Sequence, residues 1–542
     1  MIKMDLKIAL AQINFTVGDI SGNAEKIINN ISKAKNENTD IILFPELALC
    51  GYPPLDLILE DEFINENNKK INEIAEYTKD IIAIVGYVHK YNGKSWNSLA
   101  IMQNGKIVDH VHKINLPTYD VFDELRYFSY INNPEPVELV IKGRSYKLGV
   151  EVCEDLWDDR YETKVTRELV KKGAEIILNA SASPFKVAKI NERIAIVQEK
   201  INEFKVPFVY TNLVGGQDEL IFDGNSFAID KAGNFATYMP ASEEALAYCE
   251  FKDGKALNKF PDPQPDILAG LRAALLLGIR DYFYKSGFKD AVIGLSGGID
   301  SALVAALATE ALGADHVYGF AMPSKFSSDH SLKDAEQLVV NLGIYFDTIS
   351  VEPMYESFLN SLKKQFAGTS FGLAEENLQA RVRGTILMSI ANKKNALVLT
   401  TGNKTEIALG YCTLYGDMCG ALGPISDLNK LDVYQLSRYL NEQYGYDVIP
   451  QNTIDKLPSA ELAEDQYDPF DYEVVSPLVD DLLVNTPIED LIKRTKDPEL
   501  VHRIMHMIRI TEYKRWQAAP GLRVTSKAFG QGRKMPLVNH FK

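Results

Sequence analysis

The sequence has 542 residues, of which 46% are hydrophobic and 24% are charged. This composition is typical of a globular enzyme and excludes an intrinsically disordered chain. The length predicts roughly two to four domains. Lys and Arg number 58 and Asp and Glu number 74, which gives a formal net charge of −16. Such an acidic chain is a poor candidate for binding nucleic acid or an anionic membrane surface.

The chain carries no sequence signal for a membrane or for export. No apolar run approaches the roughly 20 residues that a membrane span requires. The N-terminal stretch contains Asp5 and Lys7 and is typical of a first strand, not of a signal peptide. Five cysteines are too few, and odd in number, for a disulfide framework. We therefore expect a cytoplasmic protein with no membrane or nucleic-acid partner.

The first half alternates short β-rich runs with amphipathic stretches. Strands are predicted at Lys7–Asn14, Asp40–Phe44, Ile81–Val88, Ser98–Gln103, Lys147–Cys153, Glu175–Ala180 and Pro207–Asn212. Helices are predicted at Asn23–Lys35 and Lys186–Phe204, followed by a hairpin-rich ending at Ser226–Asp230 and Ala247–Phe251. Strands mixed with helices in this way predict an α/β sandwich.

A proline-rich stretch divides the sequence near residue 260. Residues 258–266 read NKFPDPQPD, and three prolines in five residues predict a semi-rigid connector, because proline fixes φ and removes a hydrogen-bond donor. We therefore predict one domain over residues 1–257 and a second over 267–542. Asp266 is placed to cap a helix that runs to Ser286.

Downstream of the connector the alternation of strands and helices is cleaner. Strands are predicted at Ala291–Leu295, His316–Ala321, Tyr345–Ser350 and Ala396–Thr400, and helices at Ser301–Leu312, Asp329–Leu342, Ala374–Lys393 and Asp497–Ala518. Repeated βα units predict a mostly parallel, doubly wound sheet that binds its ligand at the carboxyl ends of the strands.

A Ser/Gly-rich loop joins the first of these strands to its helix. The run Gly294–Ser301 reads GLSGGIDS, in which glycines let the backbone approach an anion and the following helix supplies unpaired N–H groups. It matches neither the Walker loop nor GxGxxG. The hexapeptide SGGIDS resembles the loop of the ATP-pyrophosphatase family, which implies cleavage of ATP between its α and β phosphates and a Mg²⁺ bound by Asp300. The ATP-binding residues implied by this resemblance are Leu295, Ser296, Gly297, Gly298, Ile299, Asp300 and Ser301.

Four further segments narrow the resemblance, although each alone is equally typical of a helix cap or a solvated loop. They are AMPSKFSS at 321–328, EENLQARVRG at 375–384, TTGNKTE at 400–406 and SKAFGQGRKMP at 526–536. Together and in this order they resemble NAD synthetases. That resemblance implies that Thr401 contacts ATP, that Asn377, Glu406 and Lys527 contact deamido-NAD, and that Glu406 supplies a second metal position.

The first half contains a possible nucleophile with two possible partners. Cys153 follows a predicted strand among acidic residues that disfavour a thiolate, so it needs a base and a cation nearby to react. Glu46 is a candidate base and Lys113 a candidate cation and oxyanion stabiliser. A lone cysteine at a strand end is also commonly a small buried hydrophobe.

The segments FPE at 44–46, HKINLP at 112–117 and EVCEDLW at 151–157 resemble the Glu-Lys-Cys set of the nitrilase superfamily. The resemblance implies an αββα sandwich over about Lys7–Asp253 and a second glutamate, Glu124, that orients Lys113 and the substrate. It also implies a glutamine pocket lined by Tyr119, Ser183 and Lys189. The other four cysteines match no such segment and are interpreted as structural.

The expected fold class is therefore α/β, an N-terminal nitrilase-type sandwich followed by a C-terminal ATP-pyrophosphatase domain. The whole chain resembles glutamine-dependent NAD synthetases, which implies glutamine, ATP and deamido-NAD as substrates, Mg²⁺ as cofactor and a homo-oligomer. Three alternatives stay open: another amide-forming ATP pyrophosphatase, a nitrilase-type amidase with an ATP-sensing domain, and a tRNA-modifying pyrophosphatase. The acidic charge weakly disfavours the last of these.

Overall fold

The computed structural model describes residues 5–325, 327–458 and 468–539. The chain divides into two compact units, Met1–Ala274 and Leu275–Lys542. Within the described ranges, no helix combines the length and the apolar character needed to cross a membrane. All five cysteines are free thiols.

The first unit contains fifteen strands and four α-helices among its described residues. The strands are β1 (Asp5–Gln12), β2 (Ile41–Leu43), β3 (Ile82–Tyr91), β4 (Lys94–Gln103), β5 (Lys106–His112), β6 (Val137–Ile141), β7 (Arg144–Val152), β8 (Ile176–Ser181), β9 (Phe208–Asn212), β10 (Val214–Gln217), β11 (Leu220–Asp223), β12 (Phe227–Ile229), β13 (Phe235–Tyr238), β14 (Ala245–Lys252) and β15 (Lys255–Ala256). The helices are α1 (Ile20–Asn36), α2 (Asp61–Ala75), α3 (Val165–Lys171) and α4 (Lys189–Phe204).

These strands form two large sheets and one hairpin. The sheet orders are β15-β14-β1-β2-β3-β4-β5 and β13-β12-β9-β8-β7-β6, and β10 pairs with β11 alone. In each large sheet three central strands run parallel (β1-β2-β3 and β7-β8-β9), and antiparallel strands flank them. Parallel strands need crossover connections, which α1 to α4 provide.

Alternating burial explains how the two sheets pack. On β1, Ile8 and Leu10 face apolar residues of the second sheet such as Val150, whereas Ala9 and Ala11 pack against buried residues of α1 and α2. The outer face of the second sheet packs against α3 and α4 in the same way. Because successive strand residues point to opposite faces, both sheets are buried on both sides. The predicted αββα sandwich is confirmed.

The second unit is built on one four-stranded parallel sheet. Its strands are β16 (Ala291–Gly294), β17 (Val317–Ala321), β18 (Tyr345–Thr348) and β19 (Leu397–Val398). Its α-helices are α5 (Ile267–Lys285), which begins in the first unit, α6 (Ile299–Leu312), α7 (Asp329–Leu342), α8 (Glu352–Leu362), α9 (Leu373–Lys394), α10 (Lys404–Leu409), α11 (Lys430–Tyr444), α12 (Gln451–Asp455), α13 (Tyr472–Leu483), α14 (Ile488–Thr495), α15 (Pro498–Ile510) and α16 (Glu512–Arg515).

The sheet order is β18-β17-β16-β19. The chain adds β17 and β18 on one side of β16 and then crosses over to add β19 on the other side. All three pairings are parallel, which confirms the predicted doubly wound sheet. The predicted cap of α5 is also confirmed, because the Asp266 carboxylate accepts the N–H groups of Leu268 and Ala269 at 2.9 and 3.1 Å. The exact limits of the two predicted domains and of the connector stay a prediction.

One predicted helix is wrong in its length. The stretch predicted over Asp497–Ala518 forms α15 and the short α16, with a break at Thr511. The Thr511 hydroxyl donates to the carbonyl of Met507 and also lies 3.3 Å from that of Ala408. A threonine side chain that competes for helix carbonyls in this way favours a helix end.

Candidate active sites

The first candidate site lies where three strands of the first unit end. Glu46 lies three residues after β2, Lys113 directly follows β5, and Cys153 directly follows β7. Cys153 opens a 3-10 turn (Cys153–Leu156) and has a φ of 45°, in the left-handed region that few non-glycine residues adopt. Such a sharp turn redirects the chain immediately after a buried strand. The three side chains are 0%, 1% and 5% exposed, so all of them are removed from water.

Lys113 joins two buried carboxylates. Its ammonium donates to Glu46 Oε1 at 2.7 Å and to Glu124 Oε1 at 2.8 Å. The hydroxyl of Tyr52 donates to the same oxygen of Glu124 at 2.9 Å. Burial disfavours the charged form of Lys113, but Glu124 and Glu46 outweigh it and raise its pKa well above the ordinary value. The structure thus brings three predicted residues, Glu46, Lys113 and Glu124, into direct contact.

The surroundings of Cys153 favour the protonated form of its thiol. Burial and the neighbouring Glu46 raise its pKa well above the ordinary value, and Lys113 only partly opposes them. Burial also raises the pKa of Glu124 to about 7, with Lys113 lowering it and Glu46 raising it. A thiol in this state becomes a nucleophile only when a base removes its proton. Glu46, a buried carboxylate that interacts electrostatically with this thiol, is the predicted candidate for that base.

Two groups that the sequence analysis missed hold Glu46 in place. Asn97 on β4 donates from Nδ2 to Glu46 Oε1 at 2.6 Å, and the N–H of Ala182 donates to Glu46 Oε2 at 3.0 Å. Neither residue lies in one of the segments that resemble a family. Each is brought to Glu46 by strand pairing and sheet packing, which the local sequence does not reveal. No sequence signal distinguishes Asn97 from any other asparagine in a strand.

Asp155 was also missed, although it lies two residues from Cys153. Its carboxylate accepts the N–H groups of Ile114 and Asn115 at 3.1 and 2.8 Å, and that of Val152 at 3.0 Å. These donors directly follow Lys113 and directly precede Cys153. One side chain therefore ties together the two chain segments that carry the cation and the thiol. Its place two residues after the predicted nucleophile was the one available signal.

The other residues predicted for a glutamine pocket have protein partners. The hydroxyl of Tyr119 donates to Glu154, the backbone N–H of Ser183 donates to Asn212, and Lys189 pairs with Glu192 at 2.9 Å. The Lys189 ammonium also lies 3.7 Å from the ring centroid of Trp157, and burial lowers its pKa. The fully buried Arg193 donates to the Ser183 carbonyl at 2.8 Å and pairs with Asp223. No contact in the structure tests their binding of glutamine.

The second candidate site begins at the predicted Ser/Gly-rich loop. This loop joins β16 to α6, and its hydroxyls bond within it, since Ser301 Oγ lies 3.1 Å from Ser296 Oγ and donates to the Gly298 carbonyl at 3.0 Å. Gly297 has a φ of +75°, and a Cβ there would lie 2.2 Å from the Ser331 carbonyl oxygen. Only glycine fits such a close approach in the left-handed region.

An acidic pair with one cation lies beside the loop. Lys430, at the start of α11, reaches Asp300 Oδ2 at 2.5 Å and Glu406 Oε1 at 3.7 Å. Asn403, which caps α10, donates from Nδ2 to Asp300 Oδ1 at 3.0 Å. Burial and Asp300 raise the pKa of Glu406 to about 8, and Lys430 opposes them. Lys430 and Asn403 were not predicted as site residues. An Asn429-x-x-Asp432 cap indicates where α11 starts, but not what Lys430 faces.

A cavity of about 430 Å³ connects these groups. Its walls include predicted residues from the loop, from the start of α9 and from the segment after β19, together with Lys430. The predicted residues among them are Leu295, Ser296, Gly298, Ile299, Asp300, Ser301, Asn377, Thr401 and Glu406. Gly297 and Lys527 are not part of the wall. The Lys527 ammonium instead donates to the carbonyl of Gly532.

The acidic pair is suited to a magnesium ion. Mg²⁺ in nucleotide sites is held by one or two carboxylates together with substrate phosphates, and Asp300 and Glu406 both face the cavity. Burial and the neighbouring Asp300 disfavour the charged form of Glu406 and raise its pKa, and a bound cation would offset both effects. Among the described residues, no cluster of three or more His, Cys, Asp or Glu side chains could hold a metal ion.

Comparison with known proteins places the whole chain. Residues 7–255 match the carbon-nitrogen hydrolase family and residues 271–518 match the NAD synthase family. A glutamine-dependent NAD(+) synthetase from Synechocystis sp. is 42% identical, over 98% of this chain and 99% of that protein. One from Acinetobacter baylyi is 39% identical, over 99% of each chain. The chain belongs to the glutamine-dependent NAD(+) synthetase family.

Solved structures agree with this membership of the glutamine-dependent NAD(+) synthetase family. The glutamine-dependent NAD+ synthetase from Acinetobacter baumannii in complex with adenosine diphosphate is 35% identical, covers 99% of each chain and has a TM-score of 0.78. The enzyme from Cytophaga hutchinsonii, at 22% identity and a TM-score of 0.84, shares the fold. Glu46, Lys113 and Cys153 fall in the carbon-nitrogen hydrolase match, and the cavity-lining loop in the NAD synthase match. Lys527 lies beyond both matched ranges.

Proposed function

We propose that this chain makes NAD from deamido-NAD, with the amide nitrogen of glutamine and the energy of ATP. The observation that carries the proposal is that one member of this family contains two separate sites, each with the side chains that one half of this reaction needs. The first unit holds a buried acid, cation and thiol, and the second holds a nucleotide-sized cavity lined by a Ser/Gly-rich loop and two carboxylates.

In the first site, Glu46 takes the proton of Cys153, and the sulfur attacks the γ-carboxamide carbon of glutamine. A C–S bond forms, and the carbonyl π electrons become the charge of an oxyanion that Lys113 stabilises. When the C–N bond breaks, Glu46 returns the proton to the leaving nitrogen, and ammonia departs from a thioester. Water, deprotonated by Glu46, then releases glutamate and the thiol.

Four further residues belong to this half-reaction in our proposal. Glu124 orients Lys113, which its 2.8 Å contact supports. Tyr119, Ser183 and Lys189 line the pocket that selects glutamine. Support for Ser183 comes from its rigid setting, since Arg193 and Asn212 both hold its backbone. A glutamine pocket requires groups for both ends of the α-amino acid, and Tyr119 with Glu154 supplies a hydroxyl and a carboxylate together.

In the second site, the Ser296–Ser301 loop holds the phosphates of ATP, with Leu295 and Thr401 beside the nucleotide. Asp300 and Glu406 would hold Mg²⁺, which when bound would neutralise charge on the phosphates. Asn377, Glu406 and Lys527 contact deamido-NAD. Its nicotinate carboxylate attacks the α-phosphorus, the bond to pyrophosphate breaks, and ammonia then displaces AMP to leave the amide of NAD.

A pair of variants tests this assignment. Cys153→Ala is expected to abolish glutamine-driven NAD synthesis while ammonium at high concentration still supports most of the rate, because the second site is untouched. Asp300→Ala is expected to abolish synthesis from either nitrogen source and to leave glutaminase activity. Formation of AMP and pyrophosphate from ATP, Mg²⁺, deamido-NAD and ammonium is the matching measurement. Absence of both products from the unmodified protein would leave only an amidase with an ATP-sensing unit.

Two expectations about the protein in the cell stay predictions. We propose a homo-oligomer, which sedimentation of the full chain would test, since a single monomeric species at micromolar concentration would contradict it. The cytoplasmic location rests on the sequence alone.

A further inference from the structure

The two oxygens of the Glu46 carboxylate have different partners. Oε1 accepts two hydrogen bonds, from the Lys113 ammonium at 2.7 Å and from Asn97 Nδ2 at 2.6 Å. Oε2 accepts one, from the N–H of Ala182 at 3.0 Å. A carboxylate oxygen has about two lone-pair sites, so two donors fill Oε1 and one site remains at Oε2.

Asn97 contacts both members of the Glu46–Lys113 pair. Its side chain holds Glu46, and its backbone carbonyl accepts the N–H of Lys113 at 2.9 Å. Asn97 is 0% exposed, in the middle of β4, and its strand neighbour is Val88 on β3. A fully buried amide on a paired strand has little freedom to turn, so it fixes the plane of the carboxylate that it contacts.

We propose that Asn97 is a positioning residue for the glutaminase half-reaction, which fixes Glu46 so that Oε2 receives the proton of Cys153. The Asn97 amide donates to the carboxylate of Glu46, and the carboxylate is the form that acts as a base. The inference rests on the proposed role of Glu46 as the base. It predicts that loss of the Asn97 amide makes Glu46 harder to ionise and free to rotate.

Several titratable groups surround Glu46, so the pH profile belongs to a cluster. They are Lys113, Cys153, Glu124, Glu154 and Tyr52, each of which interacts electrostatically with Glu46. A substitution at Asn97 leaves all of these groups in place. A change in the acid limb of the profile therefore reports the hydrogen bond to Glu46 and not the loss of a titrating neighbour.

The test compares Asn97→Leu and Asn97→Asp with a matched control, Asn67→Leu. Asn67 is also 0% exposed and donates from Nδ2 at 2.7 Å, but its acceptor is the backbone carbonyl of Val88. In the described part of the chain, Oδ1 of both asparagines has no partner. The control thus reproduces burial, size and the loss of one hydrogen bond without touching Glu46.

The measurement is glutaminase kcat and kcat/KM from pH 5 to 9. Asn97→Leu is expected to lower kcat at least about tenfold at pH 7 and to move the acid limb up by about one pH unit, since a hydrogen bond to a charged group contributes roughly that much. Asn97→Asp is expected to move the limb further, because a second carboxylate beside Glu46 disfavours its ionisation. KM for glutamine should change less than kcat.

Ammonia-driven synthesis by the same preparations checks that the second unit is folded and active. If Asn97→Leu does not fold, Asn97→Ala, which is smaller and adds no titrating group, decides the question by the same readout. An unshifted acid limb in the folded Asn97 variants, or an equal shift in Asn67→Leu, overturns the inference. If Cys153→Ala retained glutamine-driven synthesis, the proposed function itself would fall, and that outcome is separate from the Asn97 result.

Discussion

Removal of the Lys113 charge is the sharpest test of the first site. Lys113→Met keeps a long apolar stem in place, so little packing is lost, but it removes the shared cation of Glu46 and Glu124, at 2.7 and 2.8 Å. Breaking a buried ion pair by removing one partner costs about 3–5 kcal/mol. We expect the free energy of unfolding of the first unit to fall by about that amount at pH 7, with complete loss of glutaminase activity.

The same variant is expected to depend on pH in a particular way. The pKa of Glu124 is raised to about 7, against an ordinary value of 4.5. Between these values the folded state holds a proton that the unfolded state has lost, so stability falls as pH rises, and the fall ends above pH 7. Without Lys113 the pKa of Glu124 rises further. The variant should therefore continue to lose about 1.4 kcal/mol per pH unit between pH 7 and 8, where Glu124 in the unmodified protein contributes little slope.

The assay is urea unfolding followed by tryptophan fluorescence at pH 7 and 8. Trp96 and Trp157 lie in the first unit and Trp516 in the second, so a Trp516→Phe background restricts the signal to the first unit. The control is Lys142→Met, which removes a 2.8 Å pair with Asp40 from a lysine that is 60% exposed and should cost about 0–1 kcal/mol. Equal costs for the two variants, or parallel pH dependence in the Lys113 variant and the unmodified protein, would refute the reasoning.

Three more predictions concern single residues. Gly297→Ala places a Cβ 2.2 Å from the Ser331 carbonyl oxygen at a positive φ, so initial rates of ammonia-driven synthesis should fall at least about tenfold, with a strain of roughly 1–2 kcal/mol; a normal rate would contradict the role of the loop. Glu406→Gln replaces a half-buried carboxyl whose pKa is about 8. In thermal unfolding without ligands the variant should be more stable than the unmodified protein, by a few kcal/mol at most and by more at pH 9 than at pH 6. An equal effect at both pH values would be inconsistent with the raised pKa. Asp155→Asn weakens three backbone hydrogen bonds, so glutaminase kcat should fall about 10²-fold while ammonia-driven synthesis persists. Assays with glutamine and with ammonium would test this, and loss of both activities would contradict it.

Sequence patterns were informative wherever function depends on a local segment. The loop at 294–301 is predicted from its residues and its place between a strand and a helix, and the structure puts it on the cavity wall. Glu46, Lys113 and Cys153 each follow a predicted or observed strand, and the packing of two sheets, one with β2 and β5 and the other with β7, brings these ends together. The family resemblance predicted that these three residues meet in one site. Sequence spacing alone does not predict contact between residues as far apart as Glu46 and Cys153.

The elements that were missed have polar or uneven patterns. The residues of β5 (KIVDHVH) are all exposed or half-buried, so they lack the alternation of buried and exposed positions that is typical of a strand. Helix α2 (DEFINENNKKINEIA) is rich in asparagine, a weak helix former. Lys430 reaches Asp300 across 130 positions of sequence. Contacts of that kind depend on how α11 packs beside α6, which no local pattern encodes.

The point where the sheet of the second unit reverses has a consequence for engineering. β17 and β19 lie on either side of β16, so the connections that leave their ends diverge and open a crevice there. That opening is set by the path of the backbone, and the side chains on its wall can be exchanged while the hydrogen-bonded ladder beneath them persists. Libraries that vary wall positions on α9 and after β19 should therefore yield many well-folded proteins with altered choice of acid substrate.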